Sequence, residues 1–173
     1  MQDGNLKIIN SFNYAEMNSN KGTSGGIIGC VGGHDWDNNI SVEIFNSGNL
    51  GKVNATQGKS GGIIGSQGTT CKENYVSIKN TYNVGNITGE TVGNIIGEID
   101  NDSRTETKTE LENVYYTAEP SLGKGNLTSG EARLKSQNEI KSQTFVDLLN
   151  QNIGENSDWK KWKLGEKGYP EIE

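Results

Sequence analysis

The heptapeptide TSGGIIG at Thr23–Gly29 returns as KSGGIIG at Lys59–Gly65 and, in looser form, as TVGNIIG at Thr91–Gly97. A glycine-bracketed isoleucine pair met three times constrains the fold more than any composition does. Internal repeats with periods of about 20–50 residues mark solenoids, propellers and arrays. Asparagines set the register. Asn10, Asn46, Asn80 and Asn113 follow one another at steps of 36, 34 and 33 residues, and each of the first three has a second Asn three places on, at Asn13, Asn49 and Asn83. In the last copy Tyr116 takes that place and the glycine box is missing. The copies run over about 6–40, 41–75, 76–108 and 109–126.

Columns through the aligned copies alternate as strands do. Leu6, Val42, Val76 and Thr109 form one apolar column, and Ile8, Ile44, Ile78 and Leu111 the next. Between them stand Lys7, Glu43, Ser77 and Glu110, so one face is apolar with period two. Beyond the first Asn come Phe12, Gly48, Tyr82 and Tyr115, then a small-residue column of Ala15, Gly51, Gly85 and Ala118, then Met17, Val53, Ile87 and Pro120. In the first copy the strands are expected at about 6–10, 13–17 and 25–31. A repeat that cannot bury its own apolar face stacks on its neighbours. The expected fold is all-β: a right-handed parallel β-helix of about four three-strand coils, stacked at about 4.8 Å, right-handed as parallel crossovers are. Asparagines are expected to stack as ladders and to take the left-handed corners. The box glycines are expected to let the chain turn. No Lys-Ser/Thr or helix start follows them, so a phosphate loop is not indicated.

Composition agrees with a thin core. Leu, Ile, Val and Phe number 36 of 173 residues, just above the level of about 20% below which disorder is the default. Gly numbers 24, Asn 22 and Pro only 2, which suits corners and ladders. The net charge of -6 argues against nucleic acid and anionic lipid as partners. No apolar run approaches the roughly 20 residues that span a bilayer, so membrane insertion is not expected. MQDGNLK contains no apolar signal region, and the chain reads as a fragment of a larger protein.

NSGNLGKVNATQGKSGGIIG (Asn46–Gly65) and NTYNVGNITGETVGNIIG (Asn80–Gly97) resemble the GLUG motif, a repeat of secreted and surface bacterial proteins, among them immunoglobulin A-cleaving metallopeptidases and adhesin-like proteins. The resemblance covers residues 6–126. The first copy departs at FNYAEM, and the third carries Asn94 for the second glycine of the box. The resemblance implies an extracellular bacterial β-solenoid and no particular activity.

Residues 127–173 read as a separate C-terminal capping segment, mainly helical. TSGE at Thr128–Glu131 has the form of a capping box. Phe145, Leu148 and Leu149 share one helical face, and Trp159, Trp162, Tyr169 and Pro170 follow. Leu134, Phe145, Leu148, Leu149 and a Trp are expected to cover the last coil. The Trp pair could alternatively form a carbohydrate platform.

Chemistry is sparse. The one histidine, His34, sits in the loop GGHDWDNN. HExxH is absent, so zinc peptidase chemistry does not carry over from the resemblance. Cys30 and Cys71 are too few for a disulfide framework and read as free thiols. Asp35, Asp37 and Asn39 are hard oxygen ligands and make a weak calcium site conceivable. Ile40 and Asn46 stand where an EF-hand needs Gly and Glu. No other cofactor is indicated. The expected function is non-enzymatic: an extracellular display, spacer or adhesion module of a bacterial surface protein, meeting a host or matrix protein or a glycan through His34, Trp36 and Asp37. The alternative is a polysaccharide-active lyase or hydrolase, or a carbohydrate-binding module. An enzyme would need carboxylates converging in a groove.

Overall fold

A computed structural model describes residues 3–33, 36–100, 102–117 and 132–173. The first repeat supplies β1 (Gly4–Ile9), β2 (Phe12–Asn13), β3 (Met17–Gly25) and β4 (Ile28–Val31). The second supplies β5 (Asn39–Phe45), β6 (Gly48–Asn49), β7 (Val53–Gly61) and β8 (Ile64–Gln67). The third supplies β9 (Glu73–Asn83), β10 (Ile87–Gly93) and β11 (Ile96–Ile99), and the fourth β12 (Glu106–Tyr116). All pair in parallel with their equivalents: β1-β5-β9-β12 in one sheet, joined by β2 and β6, β3-β7-β10 in a second, and β4-β8-β11 in a third. The architecture is an all-β parallel solenoid of about three turns, since only the first strand of a fourth is present among the described residues.

The columns read from the sequence are the register of the sheets. Ile8 pairs with Ile44, Ile44 with Ile78 and Ile78 with Leu111. The gaps between repeats are also placed. The third box comes two residues early because β10 omits two residues between Gly89 and Thr91, opposite Ala55 and Lys59. The interior is filled by Val42, Ile44, Val76, Ile78, Ile63, Ile64, Ile95 and Ile96. Burying each such side chain contributes about 1.5–3 kcal/mol.

The strand expected at 13–17 is in fact a corner. Asn13 closes a local turn, its side-chain Oδ1 accepting from the Ala15 amide at 3.0 Å, and the second long strand runs from Met17 to Gly25. The box is a corner as well. Ile27 and Ile28 both donate to the carbonyl of Ile63, and Ile63 and Ile64 both to that of Ile95, at 2.9–3.0 Å. One carbonyl taking two successive amides breaks the period of two, and both isoleucines of a box turn inward.

Asn10, Asn46, Asn80 and Asn113 have φ of 53°, 50°, 48° and 54°, the left-handed region that Asn tolerates. The amides of the first three stack: Asn46 donates to Asn10 at 2.6 Å and Asn80 to Asn46 at 2.8 Å. A second ladder joins Asn13, Asn49 and Asn83 at 2.8 Å per step. The second box glycine lies against this ladder: a Cβ on Gly62 would come 2.5 Å from Asn83 Cγ. One turn on, the equivalent positions are Asn94 and Tyr116, so two departures from the repeat fall on one pair of facing positions.

The tail differs most from expectation. The expected boundary at 126/127, the capping box at Thr128–Glu131 and the columns at Ala118 and Pro120 lie outside the described residues. Ala132–Leu134 is a short strand, β13, paired with β12, and not helical. Leu134 is 52% exposed, not part of a cover. Helix α1 (Gln137–Ile140) starts at a different capping box: Ser136 Oγ accepts from the Glu139 amide and the Glu139 carboxylate accepts from the Ser136 amide. Helix α2 (Gln143–Ile153) and an antiparallel pair, β14 (Trp162–Leu164) with β15 (Pro170–Ile172), complete the tail.

This tail lies along the flank of the solenoid. Phe145 packs edge-on to Tyr115 and Tyr82, Asn80 donates to the Leu149 carbonyl, and Asn10 donates to that of Asp158. The column of Phe12, Tyr82 and Tyr115 faces the tail, not the interior, in a second apolar cluster with Ile140, Leu149 and Trp162.

The Ser136 amide and hydroxyl, with Lys135, hold the Glu139 carboxyl down at about 2, against an ordinary value near 4.5. A carboxyl lowered in the folded state contributes stability above its unfolded pKa and loses it as pH falls toward the folded one. Helix α1 is therefore expected to keep its box at pH 5 and to loosen progressively from about pH 4.5 to 2. An NMR titration of the Glu139 side chain checks this; a midpoint above pH 4 would refute it.

Candidate functional site

Two regions gather polar and aromatic side chains: the loops joining the third sheet to the first, and the outer face of the first sheet beside the tail.

In the loops, His34 and Asp35 lie outside the described residues. Trp36 is half-buried, with the Arg104 guanidinium 4.0 Å over its ring. Arg104 reaches it from the loop two turns away, and pairs with Asp102 at 2.8 Å. That pairing lowers the Asp102 carboxyl to about 2. Asp37 is exposed. Asn39 opens β5, and its amide donates to the Asp3 carboxylate at 3.0 Å. Of the three expected contact residues, the two described ones differ: Trp36 is packed under Arg104 of another loop, and Asp37 is open to solvent. Among the described residues no three His, Cys, Asp or Glu side chains are placed to hold a metal ion. Cys30 is exposed and Cys71 buried, both free. Burial raises the Cys71 thiol above its ordinary value.

On the first sheet, strand alternation turns Glu43, Ser77 and Glu110 outward in one row, and Phe45, Lys79 and Glu112 in the next. The tail crosses beside these rows. Together they enclose a groove of about 380 Å³, walled on one side by Glu43, Phe45, Tyr75 and Lys79 and on the other by Asn152, Asn156 and Trp159. Trp159 packs against Phe45 with ring centres 5.6 Å apart. The other tail tryptophan, Trp162, is buried and donates to Asn46 Oδ1 at 2.5 Å. The two tryptophans therefore form no shared platform.

Charge on this face is largely paired. Tyr75 donates to Glu110 at 2.7 Å, and Lys108 reaches the same carboxylate at 2.7 Å. Lys108 and Tyr75 hold the Glu110 carboxyl below its ordinary range, while the bond to Glu110 raises the Tyr75 hydroxyl. Glu112 binds Lys79 at 2.9 Å and raises its ammonium. Glu43 and Glu110 are two strands apart, about 10 Å at ordinary strand spacing. Glu110, so held, is an acceptor and a poor proton donor near neutral pH. The groove was missed in the sequence because its second wall belongs to the tail. The outward row of Lys7, Glu43, Ser77 and Glu110 was its one visible trace.

No family model and no curated protein matches the chain. One solved structure does. It is a crystal structure from Bacteroides ovatus named as a candidate immunoglobulin A1 protease, at 22% identity and a TM-score of 0.53. The alignment covers 96% of this chain and 57% of that one, so the chain spans little more than half the neighbour's length. At this identity the likeness is one of fold.

Proposed function

We propose that this chain is a non-enzymatic display and adhesion module of an extracellular bacterial protein, carried in a larger chain and exposed at the cell surface. The finer fold reading belongs with it: GLUG-like repeats forming four right-handed coils, the last incomplete, with the tail as their cover. The observation that carries the reading is where the polar side chains go. Asparagines are taken up in two ladders, and the carboxylates of the first sheet are paired or spaced apart, not converging. A rigid scaffold with variable loops suits binding, because loops can change without disturbing the core.

The name of the Bacteroides ovatus neighbour favours a second reading, in which the chain is a substrate-holding part of a hydrolase. Polysaccharide cleavage is the related alternative. An array of glycans and host-matrix proteins, run beside peptide, immunoglobulin A1 and polysaccharide substrates, separates them. Retention without turnover is the expected result. Turnover lost on replacing one acidic residue would overturn the module reading. Binding that survives Trp36→Ala moves the contact off the first loop.

A further inference from the structure

We propose that the groove between the first sheet and the tail is a binding site for an uncharged oligosaccharide. The inference rests on the adhesion reading and places its ligand. The volume of about 380 Å³ lies within the range of small-molecule sites, about 300–1,000 Å³. The floor is mainly β5 and β9, whose backbone groups are taken up in ladders on both sides. A peptide strand therefore finds no edge there, and recognition falls to side chains.

Those side chains suit a sugar. Trp159, half-buried and backed by the buried Phe45, supplies an aromatic edge for the apolar face of a ring. Asn152 donates to Asn80 and to the Tyr115 hydroxyl, leaving its carbonyl oxygen as an acceptor. Asn156 is exposed and uses its amide on the Ile153 carbonyl, keeping one N–H and an oxygen for a ligand. Glu43 has no ion pair among the described residues, while Lys79 is taken by Glu112. Mixed donors and acceptors fit hydroxyls, and the lining cation among the described residues, Lys79, is already taken by Glu112, which disfavours sulfated or uronic acid glycans.

The test is calorimetric titration of the whole chain with uncharged hexose and N-acetylhexosamine oligosaccharides, with sulfated and uronic acid oligosaccharides alongside. The expected result is binding of an uncharged member, weakened about tenfold or more by Trp159→Ala, as for a central aromatic contact. Glu43→Gln and Asn156→Ala should weaken it with melting behaviour unchanged, and they decide the case if Trp159→Ala unfolds. Failure of every uncharged member to bind, binding of charged members alone, or binding that survives all three variants would sink the site. A matrix protein captured while no oligosaccharide binds refutes the groove and leaves the adhesion reading standing. An oligosaccharide bound in the groove and then cleaved does the reverse.

Discussion

Trp162→Ala is expected to lower the unfolding free energy by about 3–5 kcal/mol, the range for truncating a buried tryptophan. The indole is 2% exposed and meets three successive repeats at once. It packs edge-on to Phe12 of the first at 5.4 Å, donates to Asn46 of the second, and lies against Tyr82 of the third at 5.7 Å. Asn46 Oδ1 keeps its bond from Asn80, so the polar part of the loss is small and the cavity dominates. With total stability of about 5–15 kcal/mol, such a loss leaves little in reserve. Trp159→Ala should cost about 1 kcal/mol, because that ring packs on Phe45 from one side. Urea titrations of the two variants give the comparison. Equal losses, or less than about 1 kcal/mol for Trp162→Ala, would mean that the tail does not fasten the repeats together.

The repeating part of the fold was legible because a solenoid writes its contacts into the spacing of its sequence. Ile8 and Ile44 are 36 residues apart, yet they are register partners, and alignment of the copies is enough to pair them. Asn10, Asn46 and Asn80 announced both a left-handed corner and a ladder, since few other residues serve both ends, and Asn113 announced the corner. The second strand was misplaced for a local reason. NYAEM has strand-like alternation, but the Asn13 side chain bonds to the Ala15 backbone and turns the chain there. The tail was legible as helix and aromatic residues only. No repeat fixes its position, so its place along the flank depends on long-range bonds such as Asn10 to Asp158. For the same reason the groove escaped a reading by columns: Glu43 and Trp159 are brought together by packing, not by period. Trp36 stands out in the sequence as an aromatic in a polar loop, but nothing near it in sequence points to Arg104.

Gly61→Ala is expected to cost more than about 3 kcal/mol, beyond the usual 1–3 kcal/mol of an overpacked core. Left-handed backbone is not the reason, since the box glycines are absent from the positive-φ residues. Space is. A Cβ at Gly61 would run into the Ile64 carbonyl of its own turn and come 2.6 Å from the Gly97 amide nitrogen of the next. Both obstacles are backbone, held by ladder hydrogen bonds, and cannot rotate aside as a side chain would. Gly68→Ala is the control: its nearest neighbour would be the Val31 carbonyl oxygen at 3.5 Å, an ordinary contact, and its effect should stay within about 0.5 kcal/mol. Gly25 repeats the Gly61 geometry in the first turn, against the Ile28 carbonyl and the Gly65 nitrogen at 2.7 Å. Stability in a solenoid is close to a sum of unit and nearest-neighbour terms. Damage at Gly61 disturbs an interface on each side, while damage at Gly25 reaches one among the described turns, so Gly25→Ala should be the milder of the two. Urea melts that rank the three as Gly61, Gly25, Gly68 in decreasing cost support close packing as the reason for the box. Comparable losses at Gly61 and Gly68 would refute it.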